Sequence, residues 1–136
     1  MKFFWNKAKE KAKGEETIET SFLVPLRENP NPEYGGNGGK HSAELFALLI
    51  LFLEKLFGGQ TKPRTIYDGS WVNPATGETI PDESIRVYVA IKRKELPRLK
   101  QFIKLVVIMF KQECIYFVSE GGKVDYIDRK VESVTK

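Results

Sequence analysis

The chain has 136 residues, of which 41% are hydrophobic and 12% aromatic, and a formal net charge of +4. That length and composition fit one domain with a packed core and terminal tails, and exclude disorder as the default. A single cysteine, Cys114, excludes an internal disulfide and a multi-cysteine zinc site, and next to an apolar run it reads as a buried, inert thiol in a reducing compartment.

Residues 1–16 form a basic tail or short helix. Lys2, Lys7, Lys9, Lys11 and Lys13 against Glu10 place the whole +4 in residues 1–13, so the remaining 123 residues are neutral overall. Phe3 to Trp5 is too short an apolar patch for a signal peptide, which puts the protein in the cytoplasm. Aromatics followed by lysines can touch a membrane surface or nucleic acid, although a solvated, partly frayed tail is the simpler reading.

The domain itself spans residues 17–127. Thr17 to Leu26 sets Ile18, Thr20, Phe22, Val24 and Leu26 on one face, a strand pattern, with Pro25 marking its end or an edge. Arg27 to His41 holds two Asn-Pro steps and four glycines and is expected as a long loop. Strand, glycine loop, Lys40 and helix come close to a phosphate-binding loop, but the pattern G-x-x-x-x-G-K-[ST] needs glycine at Tyr34 and Ser or Thr at His41. A flexible linker is the favoured alternative.

Ser42 to Gly58 is the central helix. Ser42 suits the N-cap, Glu44 the positive end of the dipole, and Gly58 a left-handed terminus. Its nine consecutive apolar residues, Leu45 to Leu53, stop at Glu54 and Lys55, well short of the roughly 20 that a bilayer span needs. So continuous a run requires cover from a sheet on one face and from a second helix or a partner subunit elsewhere.

A second strand is expected around Ile66, Trp71 and Val72, with Gly69 as a bulge or a point of close backbone approach, and then a turn at residues 73–77. IRVYVAIK alternates cleanly, with Ile85, Val87, Val89 and Ile91 inward. Glu95 to Lys111 is the second helix, with Pro97 in its first turn. Cys114 to Val118 is the fourth strand, residues 121 and 122 a turn, Val124 to Ile127 a short return strand, and residues 128–136 a polar tail. The order strand, helix, strand, strand, helix, strand predicts an α+β, ferredoxin-like split βαβ fold, with four to five antiparallel strands and both helices on one face. The open face, with aromatics such as Tyr67, Trp71, Tyr88 and Tyr116, suits a homodimer.

Several short motifs keep a characteristic order and spacing: Thr20-Ser21-Phe22-Leu23-Val24-Pro25-Leu26, Phe57-Gly58-Gly59 with Thr61, Gly69 with Trp71, Asp82-Glu83-Ser84, and Phe110 through Gln112 to Ile115-Tyr116. In these the chain resembles a family of short bacterial and phage-associated proteins whose activity is not established. The resemblance spans roughly residues 17–127; it implies the ferredoxin-like fold and leaves function open.

No catalytic residue or metal site is assigned, and no cofactor is implied. The ligand-binding candidates are Lys40 and His41 at the helix start, Thr61 and Arg64 beyond the Gly58-Gly59 turn, Trp71, Asp82 and Glu83, and Arg98 and Lys104 on the second helix. Between Lys92 and Lys111 seven basic residues face one acid, Glu95, a local patch that suits a polyanion. A small module for an anionic ligand, a nucleotide or nucleic acid, is the leading expectation. A hydrolase or nuclease using His41 with Asp82 or Glu83, and a protein-interaction subunit acting through the open sheet face, are the alternatives. Each feature also has a plainer account: His41 as a solvated loop residue, Asp82 and Glu83 with Asp68 as turn residues rather than a cation site, and the basic helix side as a solvated face.

Overall fold

The computed structural model describes residues 2–58, 62–72 and 76–130; residues 2–8, 62–72 and 80–82 are described by their backbone alone. Three helices and five strands follow in the order α1 (Lys2–Glu15), β1 (Thr17–Pro25), α2 (Ala43–Phe57), β2 (Lys62–Val72), β3 (Thr79–Lys92), α3 (Leu96–Met109), β4 (Cys114–Val118) and β5 (Val124–Asp128). The sheet order is β2-β3-β1-β4-β5 with every pair antiparallel. This is the expected split βαβ arrangement, with β5 added at one edge.

Alternation builds the core. Ile18, Phe22 and Val24 of β1 stand opposite Ile91, Val87 and Ile85 of β3, and their buried face meets Leu49 and Leu53 of α2 and Leu99, Ile103 and Val106 of α3. Thr20 interrupts the apolar row, and its hydroxyl donates to the Val89 carbonyl at 2.8 Å, so its burial leaves no orphan donor. Phe46 and Phe110 lie 5.2 Å apart, and Phe57 and Phe102 6.3 Å apart. These two contacts fix the helices as antiparallel neighbours, with the start of α2 beside the end of α3.

Both ends of α2 are closed as its sequence implies. Ser42 Oγ accepts from the Leu45 N–H at 3.1 Å, and the Gly58 N–H, at φ 92°, donates to Glu54 O at 2.8 Å. Its cover is less complete than so apolar a run suggests. Leu48, Leu51 and Phe52 are 40%, 45% and 39% exposed, and Leu105 and Ile108 of α3 are also exposed. The sheet and α3 thus hide one side of α2 and leave an apolar outer face.

Two expectations about β2 and β3 are corrected. The register irregularity lies between Pro63 and Thr65, at Arg64, while Gly69 pairs regularly with Asp82. β3 also begins earlier, at Thr79, because Pro81 and the acidic residues that disrupt the side-chain alternation do not prevent backbone pairing with β2. Among the described residues no helix is long and apolar enough to cross a membrane.

Candidate functional site

The basic stretch between Lys92 and Lys111 is largely neutralised from within. Lys92 and Lys94 both pair with Glu15, and Arg93 with Glu16 and Glu120. Arg98 pairs with Glu95 at 3.6 Å, Lys100 with Asp125 at 3.1 Å and Lys111 with Glu28 at 3.2 Å. Of the seven cations only Lys104 makes no ion pair among the described residues. Lys94 and Lys92 together hold the Glu15 carboxyl well below its ordinary range, and Arg93 lowers that of Glu120. Carboxylates from the end of α1, the 27–41 loop, the turn before β5 and β5 itself therefore occupy the charge that a polyanion would need.

The same ion pairs give α1 a footing. The Arg93 N–H donates to Glu16 O at 2.9 Å, and its guanidinium donates to Lys13 O at 2.6 Å. The last turn of α1 is thus tied to the β3–α3 junction.

At the opposite end of the helices, the 27–41 segment is a built loop rather than a flexible linker. Arg27 and Lys40 form a β-bridge, the Glu28 N–H donates to Gly39 O at 2.8 Å, and the His41 N–H donates to Leu26 O at 2.9 Å. Glu28 accepts from the Asn37 N–H at 3.0 Å; that bond, followed by Lys111, lowers its carboxyl pKa. Asn31 caps a 3-10 turn at Pro32–Tyr34, and Arg129 reaches back over the Tyr34 ring at 5.2 Å. Gln112, 5% exposed, donates from Nε2 to both Arg27 O and Phe110 O at 2.7 Å.

His41 completes this end. Its ring meets Phe110 edge-on at 4.8 Å and Phe46 at 5.9 Å, and its buried Nε2 has no hydrogen-bond partner. Burial lowers its pKa, opposed by Glu28 and by the Arg27 backbone and reinforced by Lys111. A neutral ring packed on two phenylalanines does not present a cation to a ligand. The start of α2 is meanwhile capped by Ser42, so the arrangement differs from a phosphate-binding loop.

The other predicted residues are distributed as follows. The Leu26 N–H donates to Glu83 O at 2.8 Å, so the backbones of Glu83 and His41 both bond to Leu26. The carboxylate that acts on the His41 ring is Glu28. Asp82 pairs by backbone with Gly69, Glu83 with Asp68 and Trp71 with Ile80; among the described residues no group of three His, Cys, Asp or Glu can hold a metal ion. Thr61 lies outside the described residues. Arg98 stacks on Phe57 at 5.0 Å, at the far end of α3. Twelve residues of helix, about 18 Å at 1.5 Å each, separate it from Phe110 and therefore from His41, so one small ligand cannot use both. Cys114 is half-buried, and burial raises its thiol pKa, consistent with an inert group.

The open face of the sheet carries the features that were not selected as site residues. Tyr116 and Tyr126 are direct cross-strand partners, with rings edge-to-face at 5.6 Å, and Tyr126 is 69% exposed. Ser21 stands opposite both Tyr88 and Val118, and its hydroxyl accepts from Arg86 Nη1 at 2.8 Å. Two neighbouring rows thus cross the sheet, one with Arg86, Leu23, Tyr116 and Tyr126, the other with Tyr88, Ser21, Val118 and Val124. Period-2 reading of VDYID marks Tyr126 as outward-facing once Ile127 is assigned to the core.

No family model matches the chain, and no curated protein matches it. Among solved structures it is similar to a phage SAM lyase in complex with S-methyl-5'-thioadenosine, at a TM-score of 0.60 and 14% sequence identity. The likeness covers 88% of this chain and 93% of that one. At that identity it is a likeness of fold, and it agrees with the α+β architecture described above.

Proposed function

We propose that this chain is a small binding module for a nucleoside-type ligand, whose base lies on the open sheet face against Tyr116 and Tyr126. The observation that carries the reading is this tyrosine pair, with Tyr126 exposed, on a sheet whose fold is shared with a protein bound to S-methyl-5'-thioadenosine. Stacking on an aromatic accepts any base, and a neutral nucleoside needs no basic patch. Arg86, in the same row as the tyrosines, offers a polar contact to the sugar. Internal pairing of the cations in residues 92–111 favours a single nucleoside or nucleotide over a nucleic acid. Membership in the family of short bacterial and phage-associated proteins that the motifs resemble belongs to the same reading, and the phage origin of the structural neighbour supports it. So does a homodimer, for which the apolar outer face of α2 and α3 supplies a surface.

The test is calorimetric titration of the whole chain with S-methyl-5'-thioadenosine, adenosine and AMP. Saturable binding is expected, weakened roughly 5- to 150-fold by Tyr126→Ala, the equivalent of the ~1–3 kcal/mol that one stacked base contributes. Absence of binding by all three, or affinity unchanged in both Tyr126→Ala and Tyr116→Ala, overturns the reading. The same preparation incubated with S-adenosylmethionine and chromatographed for S-methyl-5'-thioadenosine asks whether turnover accompanies binding.

A further inference from the structure

The helix-covered side of β5 carries a second feature, which borders the tyrosine face at Tyr126. A groove of 430 Å³ runs between α3 and β5, with Lys100, Lys104, Asp125, Tyr126, Asp128 and Lys130 in its lining. That volume falls within the roughly 300–1,000 Å³ of small-molecule sites. Lys100 and Lys104 are four residues apart on one side of α3, a spacing at which like charges repel.

The acids in the groove do not balance the three lysines. Asp125 is taken by Lys100 at 3.1 Å, and Asp128 Oδ1 accepts the Lys130 backbone N–H at 2.9 Å, closing the turn after β5. The ammonium groups of Lys104 and Lys130 have no ion pair among the described residues. Two cations without an ion pair among the described residues and a third held by a single carboxylate, around a concave space, are the elements of an anion site.

We propose that the α3–β5 groove binds the phosphate groups of a small ligand, through Lys104 and Lys130. The neutralised surroundings limit the site to one or two phosphates rather than a polynucleotide backbone. Free pyrophosphate and the diphosphate of a nucleotide present the same chemistry.

The experiment is amide NMR of the full chain titrated with inorganic pyrophosphate at about 20 mM salt, where screening is weak, with chloride as the control anion. Saturable shifts confined to residues 100–104 and 125–130 are expected, with Kd of about 0.1–1 mM. Lys104→Gln combined with Lys130→Gln should weaken binding about tenfold or more, and Asp125→Asn, which releases Lys100, should tighten it. Parallel titrations with ADP and adenosine separate the sources. Tighter binding of ADP than of pyrophosphate, with shifts extending to the Tyr126 ring, identifies a nucleotide; equal binding identifies a free phosphate compound. No saturation by 10 mM pyrophosphate, about ten times the weakest expected Kd, overturns the proposal, as does equal response to chloride or an unchanged double variant. Adenosine binding without pyrophosphate binding would remove the groove and leave the tyrosine site standing.

Discussion

Replacing Gln112 by Leu tests whether one buried amide holds the 27–41 loop onto the end of α3. Leucine keeps most of the side-chain volume, so the change removes two donated bonds, to Arg27 O and Phe110 O, without opening a large cavity. The Phe110 carbonyl is buried and loses its only side-chain partner, a desolvation cost of about 1–3 kcal/mol, whereas the half-accessible Arg27 carbonyl can recruit water and loses about 0.5–1.5 kcal/mol. Together these predict a loss of roughly 2–4 kcal/mol, a large part of the 5–15 kcal/mol typical of a domain. With a urea m-value near 2 kcal/mol/M, the unfolding midpoint should fall by about 1–2 M at unchanged m. Gln112→Glu is nearly isosteric but, when ionised, cannot donate and turns a negative oxygen on two carbonyls. It should cost at least as much. A midpoint shift under about 0.3 M for both variants would refute the assignment of Gln112 as the clasp of the loop.

Other expectations follow from the same geometry. Because burial lowers the His41 pKa, the unfolded chain binds more protons than the folded one below about pH 6.5; stability is therefore complete above that pH and falls on acidification. Denaturant titrations at stepped pH should show this slope, and His41→Phe, which suits the pocket of Phe46 and Phe110, should remove it. A Cβ added at Gly36 would lie 2.7 Å from Asn29 O and 2.8 Å from Glu28 Cβ, so Gly36→Ala should cost about 1–3 kcal/mol, measured by urea unfolding. If the outer helix face joins two copies, Leu51→Glu should convert the dimer to monomer in light scattering with its circular dichroism retained; a wild-type monomer at all concentrations would exclude that interface.

Sequence reasoning identified the framework because its signals are local. Ser42 and Gly58 bracket α2 within the chain's own 17 residues, and the alternation of β1 and β3 needs no knowledge of partners. The surface electrostatics were not local. Lys92 and Lys94 meet Glu15, 77 and 79 residues earlier, and Arg93 meets Glu120, 27 residues later, so a window that counts seven bases against one acid misses their neutralisation. The order of the loop is hidden from the sequence for a related reason. Its glycines and prolines announce irregular backbone, but what holds it in place comes from Gln112, Lys111 and Arg129, the last of which reads in sequence as part of a polar tail. His41 stands out in the sequence as the single histidine, and only the placement of Phe46 and Phe110 shows that its ring is packed.

The position of β1 at the centre of the sheet bears on how the chain reaches its fold. β1 precedes every other described strand of the sheet, and it pairs on one side with β3, where Ser21 meets Tyr88, and on the other with β4, where Phe22 meets Phe117. Both neighbours follow β1 in the chain, so β1 must wait with Phe22 and Val24 uncovered while two long loops are closed around it. Folding of this kind is slow relative to helical domains of equal size, and its unfinished form exposes two strand edges at once. The β2–β3 hairpin and α2 can assemble early from nearby residues, and β1 is then docked as the seam that joins them to β4 and β5.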